Sequence, residues 1–139
     1  MKKYLLTLFV LSLALSACAA GNGGAASLIS SWKLTSLGPA NSSIPAVPGT
    51  EAGITFNNDG TVTGNSGCNG FGGNYKVEGD KITFDQITST LMACDEPRMT
   101  QEEAVHRVLT GTATYKIQGN TLTLTNNDLA LVFTKASYP

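Results

Sequence analysis

The chain has 139 residues, with nine basic and ten acidic side chains, one histidine and 42% hydrophobic residues. That length supports one hydrophobic core and is short for two. Its cations beyond the N-terminus stand singly, at Lys33, Lys76, Lys81, Arg98, Arg107, Lys116 and Lys135, which excludes a nucleic-acid partner because phosphate neutralisation needs concentrated Lys and Arg.

Lys2 and Lys3 precede an apolar run from Tyr4 to Leu15, the pattern of a secretory signal and too short a run to span a membrane. It ends in Leu15-Ser16-Ala17-Cys18, which is similar to the lipobox at which bacterial lipoproteins are cleaved and lipidated. The expectation is a signal peptide over 1–17 and lipid on Cys18, which would tether the protein without spanning the bilayer; an ordinary signal cut after Ala17 or Ala20 is the alternative. Residues 18–29 are nearly all small and polar and read as a flexible tether. A β domain follows over 30–135, and removal of Lys2 and Lys3 leaves seven basic against ten acidic side chains, about minus three. The membrane is then a partner through the anchor. The expected address is the bacterial cell envelope, and in a diderm host the outer membrane facing the periplasm, since Ala19 is not the aspartate associated with inner-membrane retention.

Within the domain, Ser31 to Leu37 alternates Trp32 and Leu34 with Lys33 and Thr35, a strand with Trp32 pointing inward. The proline-containing stretch Gly38 to Gly49 reads as an irregular loop, either a functional segment or a surface connection. Ile54-Thr-Phe56 and Val62 flank Asn58-Asp59-Gly60, a three-residue hairpin that pairs Phe56 with Val62 and Ile54 with Gly64 and puts Gly60 in the left-handed position. Gly64 to Tyr75 then packs five of the chain's fifteen glycines around Cys68, a knot in which backbones approach closely.

Tyr75 to Phe84 is a hairpin on Gly79-Asp80, pairing Val77 with Ile82, Tyr75 with Phe84 and Glu78 with Lys81. The pattern returns in Tyr115 to Leu124, pairing Ile117 with Leu122, either as a doubled β unit or by convergence on a good hairpin. Ile87 to Cys94 is extended. A helix over about 99–110 follows, approached through Pro97, with Thr100 and Glu103 as a capping box. Ala104, Val105, Val108 and Leu109 form its apolar stripe, Gly111 its left-handed cap, and His106 and Arg107 its solvated side. Leu129, Leu131 and Phe133 make a last strand after an Asn126-Asn127 turn that pairs Leu124 with Leu129.

With Cys18 lipidated, Cys68 and Cys94 remain, and export places them where disulfides persist. A bond between them removes denatured-state entropy worth roughly 3.5 kcal/mol. Two distant cysteines and one histidine lack the paired spacing of a zinc site, so no metal is expected. No Lys-Ser or Lys-Thr follows Gly73, so the glycines match neither nucleotide-binding fingerprint, and no cofactor is expected. Nor is there a serine elbow or a free thiol near His106, and Asp95 with Glu96 reads as a helix start before it reads as a carboxylate pair.

Taken together, Trp32-Lys-Leu34, Ile54-Thr-Phe56 with Asp59-Gly60, Gly64-Asn-Ser-Gly67-Cys68-Asn69-Gly-Phe71-Gly-Gly73-Asn-Tyr75 and Ser89-Thr90-Leu-Met92-Ala-Cys94 resemble the META domain family of HslJ-like heat-shock proteins. The resemblance covers most of Trp32 to Phe133. It implies an antiparallel β fold with one helix, a link to envelope stress, drug tolerance or motility, and no established enzymatic activity.

The fold class expected is therefore mostly β, an antiparallel sheet curled into a small, partly open barrel with one helix packed on it. The leading functional expectation is a non-enzymatic envelope lipoprotein that binds a protein or an apolar ligand; the alternative is a lipoprotein inhibitor of a cell-wall hydrolase such as lysozyme, and a hydrolase is a third reading. Asn69, Phe71 and Asn74, interleaved among the glycines, are candidate binding residues, or else internal braces of a bent backbone.

Overall fold

Each stretch with a two-residue apolar period becomes a strand in the computed structural model, which describes residues 28–137. The chain runs β1 (Ser31–Pro39), β2 (Ile44–Pro45), β3 (Gly53–Phe56), β4 (Thr61–Asn65), β5 (Gly70–Glu78), β6 (Lys81–Ser89), α1 (Glu96–Val108), β7 (Gly111–Gln118), β8 (Thr121–Asn126) and β9 (Leu129–Lys135). From β3 onward every strand pairs antiparallel with the next, and β1 joins β3 on one side and β9 on the other. Eight strands thus close a ring, with β2 a short flap on β1. The expected curled sheet with one helix is what forms, and the curl runs to closure. The signal segment and the lipidation expected at Cys18 lie outside the described residues.

Alternation decides what fills the ring. Trp32, Phe56, Val62, Ile82, Leu122, Leu124, Leu131 and Phe133 all point inward with at most 2% exposure. Leu28 is wholly buried and accepts a 2.9 Å hydrogen bond from Trp32 Nε1 on its carbonyl. The end of the expected tether, at 28, is therefore part of the core. In β1 the alternation breaks between Leu34 and Leu37, both buried, because Thr35 is the extra residue of a bulge opposite β9. α1 lays Val105, Val108 and Leu109 on β1, β8 and β9.

Both hairpins keep their expected registers: Val77 faces Ile82, Tyr75 faces Phe84, Ile117 faces Leu122 and Tyr115 faces Leu124. So does the β3–β4 turn, where Phe56 faces Val62, Ile54 faces Gly64 and Gly60 takes φ 84°.

Four expectations are corrected. The helix starts at Glu96, three residues early, because Asp95 is its N-cap and accepts from Arg98 N at 3.4 Å, while Pro97 has the fixed φ that suits a first turn. Thr100 and Glu103 consequently lie inside the helix and cap nothing. The last turn is Asn127-Asp128, so Leu124 faces Leu131 and Asn126 faces Leu129; Asn127 takes the left-handed φ of 54° that a tight turn needs. The shift of two residues keeps the same side chains inside. Glu78 faces Lys81 in register, but its ion pair, 2.7 Å long, is with Lys76 on its own strand, since alternate residues share a face; both are well exposed, so the pair contributes little. Finally, Gly38 to Gly49 is less irregular than expected, because β1 extends to Pro39 and β2 returns to pair Ile44 with Leu37.

Gly64 shows why this region is rich in glycine. A Cβ there would run into the Gly53 carbonyl of β3 and the Phe71 ring. Gly64→Ala should therefore lower stability by about 3 kcal/mol through overpacking, whereas Gly72→Ala, whose Cβ would meet nothing closer than 3.6 Å, should be nearly neutral. Paired thermal melts check this, and equal melting temperatures for the two variants would contradict it.

Candidate functional site

The glycine knot is the β4–β5 connection. Asn65 faces Gly70, so Ser66, Gly67, Cys68 and Asn69 form a four-residue loop, which leaves backbone donors and acceptors without strand partners. Within the loop Ser66 N donates to the Asn69 carbonyl at 2.9 Å and Gly67 N to Asn65 Oδ1 at 2.7 Å, and α1 supplies further partners. The Glu102 carboxylate accepts from Ser66 Oγ at 2.6 Å, from Asn69 N at 3.0 Å and from Asn69 Nδ2 at 3.0 Å. Gln101 Nε2 donates to the Ser66 carbonyl at 2.7 Å, and Gln101 Oε1 accepts from Val47 N at 2.8 Å. One helical turn thus joins the knot to the loop after β2. Gly67 has φ 104°, and a Cβ there would sit on Gln101 Nε2, so the close approach of helix and loop requires glycine.

Asn69 is the hub. Besides serving Glu102, its Oδ1 accepts from Met92 N at 2.7 Å and Thr90 Oγ1 at 2.8 Å, and its Nδ2 donates to the Met92 carbonyl at 3.0 Å. Two residues beyond Met92, Cys94 forms the expected disulfide with Cys68, with Cα atoms 6.0 Å apart. The segment from Thr90 to Cys94 is held at both ends, and it carries Leu91 at 94% and Met92 at 58% exposure.

Burial by itself would raise the carboxyl pKa of Glu102. The hydrogen bonds from Ser66 and from the side chain and backbone of Asn69, with the nearby His106, outweigh it and bring its carboxyl below the usual glutamate range. His106 is not on a solvated face as expected: it is half-buried, its ring meets Phe71 edge-on at 6.2 Å, and its Nε2 is enclosed without a hydrogen-bond partner. Arg107 is exposed. Although Ser66, His106 and Glu102 cluster, Ser66 has no exposure and its hydroxyl lies against the carboxylate, so the group is arranged to hold a loop and presents no nucleophile to solvent.

The three binding candidates separate accordingly. Asn69 and Phe71 are 1% and 7% exposed and act as brace and core. Asn74 is exposed on β5, opposite Asp85, and is not brought together with them. Across Gln101 from the knot lies one of several open surface clefts. It is an open groove of about 350 Å³ between Leu37 of β1 with Ile44, Pro45 and Val47 on and after the β2 flap, and the first turns of α1, with Glu96, Pro97, Thr100 and Gln101. The stretch Gly38 to Gly49 supplies part of one wall through Ile44, Pro45 and Val47. The other wall was hidden by the late helix start, which left Glu96 and Pro97 outside the helix.

A small closed antiparallel barrel, stapled by one disulfide and braced by one helix, is the class these features define. The META domain family model matches residues 26–138, and the chain belongs to that family. Among solved structures it is similar to a Burkholderia xenovorans protein determined by NMR, with TM-score 0.68 and 24% identity over 96% of this chain and 100% of that one. It is also similar to a DUF4847 family protein from Bacteroides vulgatus, with TM-score 0.57 and 18% identity over 81% and 96% of the two chains. These likenesses concern the fold. No curated protein matches the chain.

Proposed function

We propose that this chain is a non-enzymatic lipoprotein of the cell envelope, anchored through Cys18, whose META barrel binds a protein or an apolar ligand in the groove between β2 and α1. The observation that carries the binding claim is the groove itself. Its walls are largely apolar, with Ile44 61% exposed, while Gln101 is fixed by bonds to Val47 on one wall and to Ser66 in the knot behind it. A preformed apolar cleft with few polar groups is the usual form of a binding site. The anchor rests on Leu15-Ser16-Ala17-Cys18.

A neutral solvatochromic dye such as Nile red should brighten on the wild-type domain, and Thr100→Trp, which fills the groove from an exposed position, should abolish the response at unchanged melting temperature. An undiminished response in that variant would place any apolar binding elsewhere. Cys18→Ala should release the protein from the detergent phase on partitioning; retention there would count against the anchor. The second reading, a hydrolase inhibitor, is favoured by Leu91, since an exposed apolar side chain on a segment fixed at both ends suits insertion into an enzyme cleft. Lysozyme inhibited by wild type and spared by Leu91→Asp would support it, and no inhibition by wild type would remove it.

A further inference from the structure

We infer that the groove takes a polypeptide segment that seats an apolar side chain between Ile44 and Pro97 and sets a lysine or arginine against Glu96. This rests on the reading of the groove as a binding site and adds the chemistry of the occupant. Two observations carry it. First, the lip of the groove bears an uncommitted negative charge. Asp95 caps the helix and lies 3.6 Å from Arg98, whereas among the described residues Glu96 has neither an ion pair nor a hydrogen bond. A negative side chain at a helix N-terminus is favourably placed in the field of the macrodipole. It attracts a cationic side chain and repels the carboxylate or phosphate head of a lipid, so charge complementarity favours a basic peptide over an acyl ligand.

Second, exposed apolar side chains stand before and after Glu96 in the chain, outside the groove lining. Leu91 and Met92 are exposed on the segment that leads directly into Glu96, and Met99 is 39% exposed one turn further along α1. A small molecule held within about 350 Å³ would leave Leu91 in water, whereas a chain leaving the groove can cover it. The combination of apolar anchor and basic flank is also what a chain with more acidic than basic side chains accepts without repulsion.

The test is selection of a displayed library of random linear peptides on the whole domain, with enriched peptides synthesised and titrated by fluorescence polarisation. The expected sequences share an apolar residue with Lys or Arg close by. Glu96→Gln should weaken them about fivefold, the scale of a partly exposed ion pair, and flatten their salt dependence, while Thr100→Trp should abolish binding. Peptides without a basic residue, or full affinity in Glu96→Gln, would overturn the charge assignment while leaving the groove in place. Dye binding with no enriched peptide would overturn the polypeptide and keep an apolar ligand. Concentration-dependent dimerisation lost in Thr100→Trp would assign the groove to a second copy and overturn it too. Peptide affinity unchanged in Thr100→Trp would remove the groove reading itself.

Discussion

Replacing Glu102 with alanine should lower the stability of the folded domain by about 4 kcal/mol, because it removes three buried hydrogen bonds to a charged acceptor, each worth more than a neutral one. Glu102 is 9% exposed, and its carboxylate accepts from Asn69 N, Asn69 Nδ2 and Ser66 Oγ. Ser66 can turn to the Asn69 carbonyl, which it already meets at 3.0 Å, and Asn69 Nδ2 keeps Met92. Asn69 N keeps only the long 3.2 Å contact to Ser66 Oγ. At about 4 °C per kcal/mol for a domain of this size, the melting temperature falls by roughly 16 °C. The same carboxylate imposes a pH dependence whose sign is set by the direction of its shift. Its pKa is lowered on folding, so its contribution is full above the unfolded value of about 4.3 and is lost as pH falls through the lower folded value. Wild type should therefore weaken below about pH 4.3, and Glu102→Gln should weaken less over the same range. Identical acid profiles for the two proteins would show that Glu102 does not hold the knot through its charge.

Loss of the disulfide should cost about 3.5 kcal/mol. Cys68 and Cys94 are 26 residues apart in sequence, and their bond closes a loop containing β5 and β6, which restricts the denatured chain most of all. In the folded chain it duplicates part of what Asn69 does, since both fix the segment carrying Leu91 and Met92. Cys68→Ala with Cys94→Ala should thus lower the melting temperature by roughly 14 °C and leave the barrel intact, as read by the near-ultraviolet signal of Trp32. With both cysteines replaced, Asn69→Ala should cost more than it does in the bonded protein, because neighbouring restraints are not additive. An unchanged melting temperature on reduction would mean that the knot and α1 already hold this segment without help.

What could be read from residues alone follows from how local each determinant is. The registers of the β3–β4, β5–β6 and β7–β8 hairpins were legible because a glycine stands at each turn and the flanking apolar pairs agree on a face. At the β8–β9 turn Asn126, Asn127 and Asp128 compete, all able to turn the chain, and only packing against β1 decides that Leu131 opposes Leu124. The helix start was misread because Thr100 and Glu103 mimic a cap, whereas the true cap, Asp95, acts through one backbone bond. Gln101 and Glu102 were missed because polar side chains on a helix usually face water. Yet they continue the helical face of Val105 and Val108, and the knot beside them needed donors and acceptors from some other element. The face assigned to His106 failed for the same reason: the buried stripe of α1 is wider than its apolar residues.

The glycine knot is an internal brace built around Asn69. Amide hydrogen exchange of Asn69 and Met92 measures that most directly. Asn69 N–H is enclosed by Glu102 and Ser66, and Met92 N–H is bonded to Asn69 Oδ1 at 2.7 Å. Both should exchange as slowly as the β4 core amide of Val62, opening only with the whole barrel, and both should speed up in Glu102→Gln. Exchange of either amide at the rate of an exposed loop would contradict the brace and return the knot to candidacy as a mobile recognition surface.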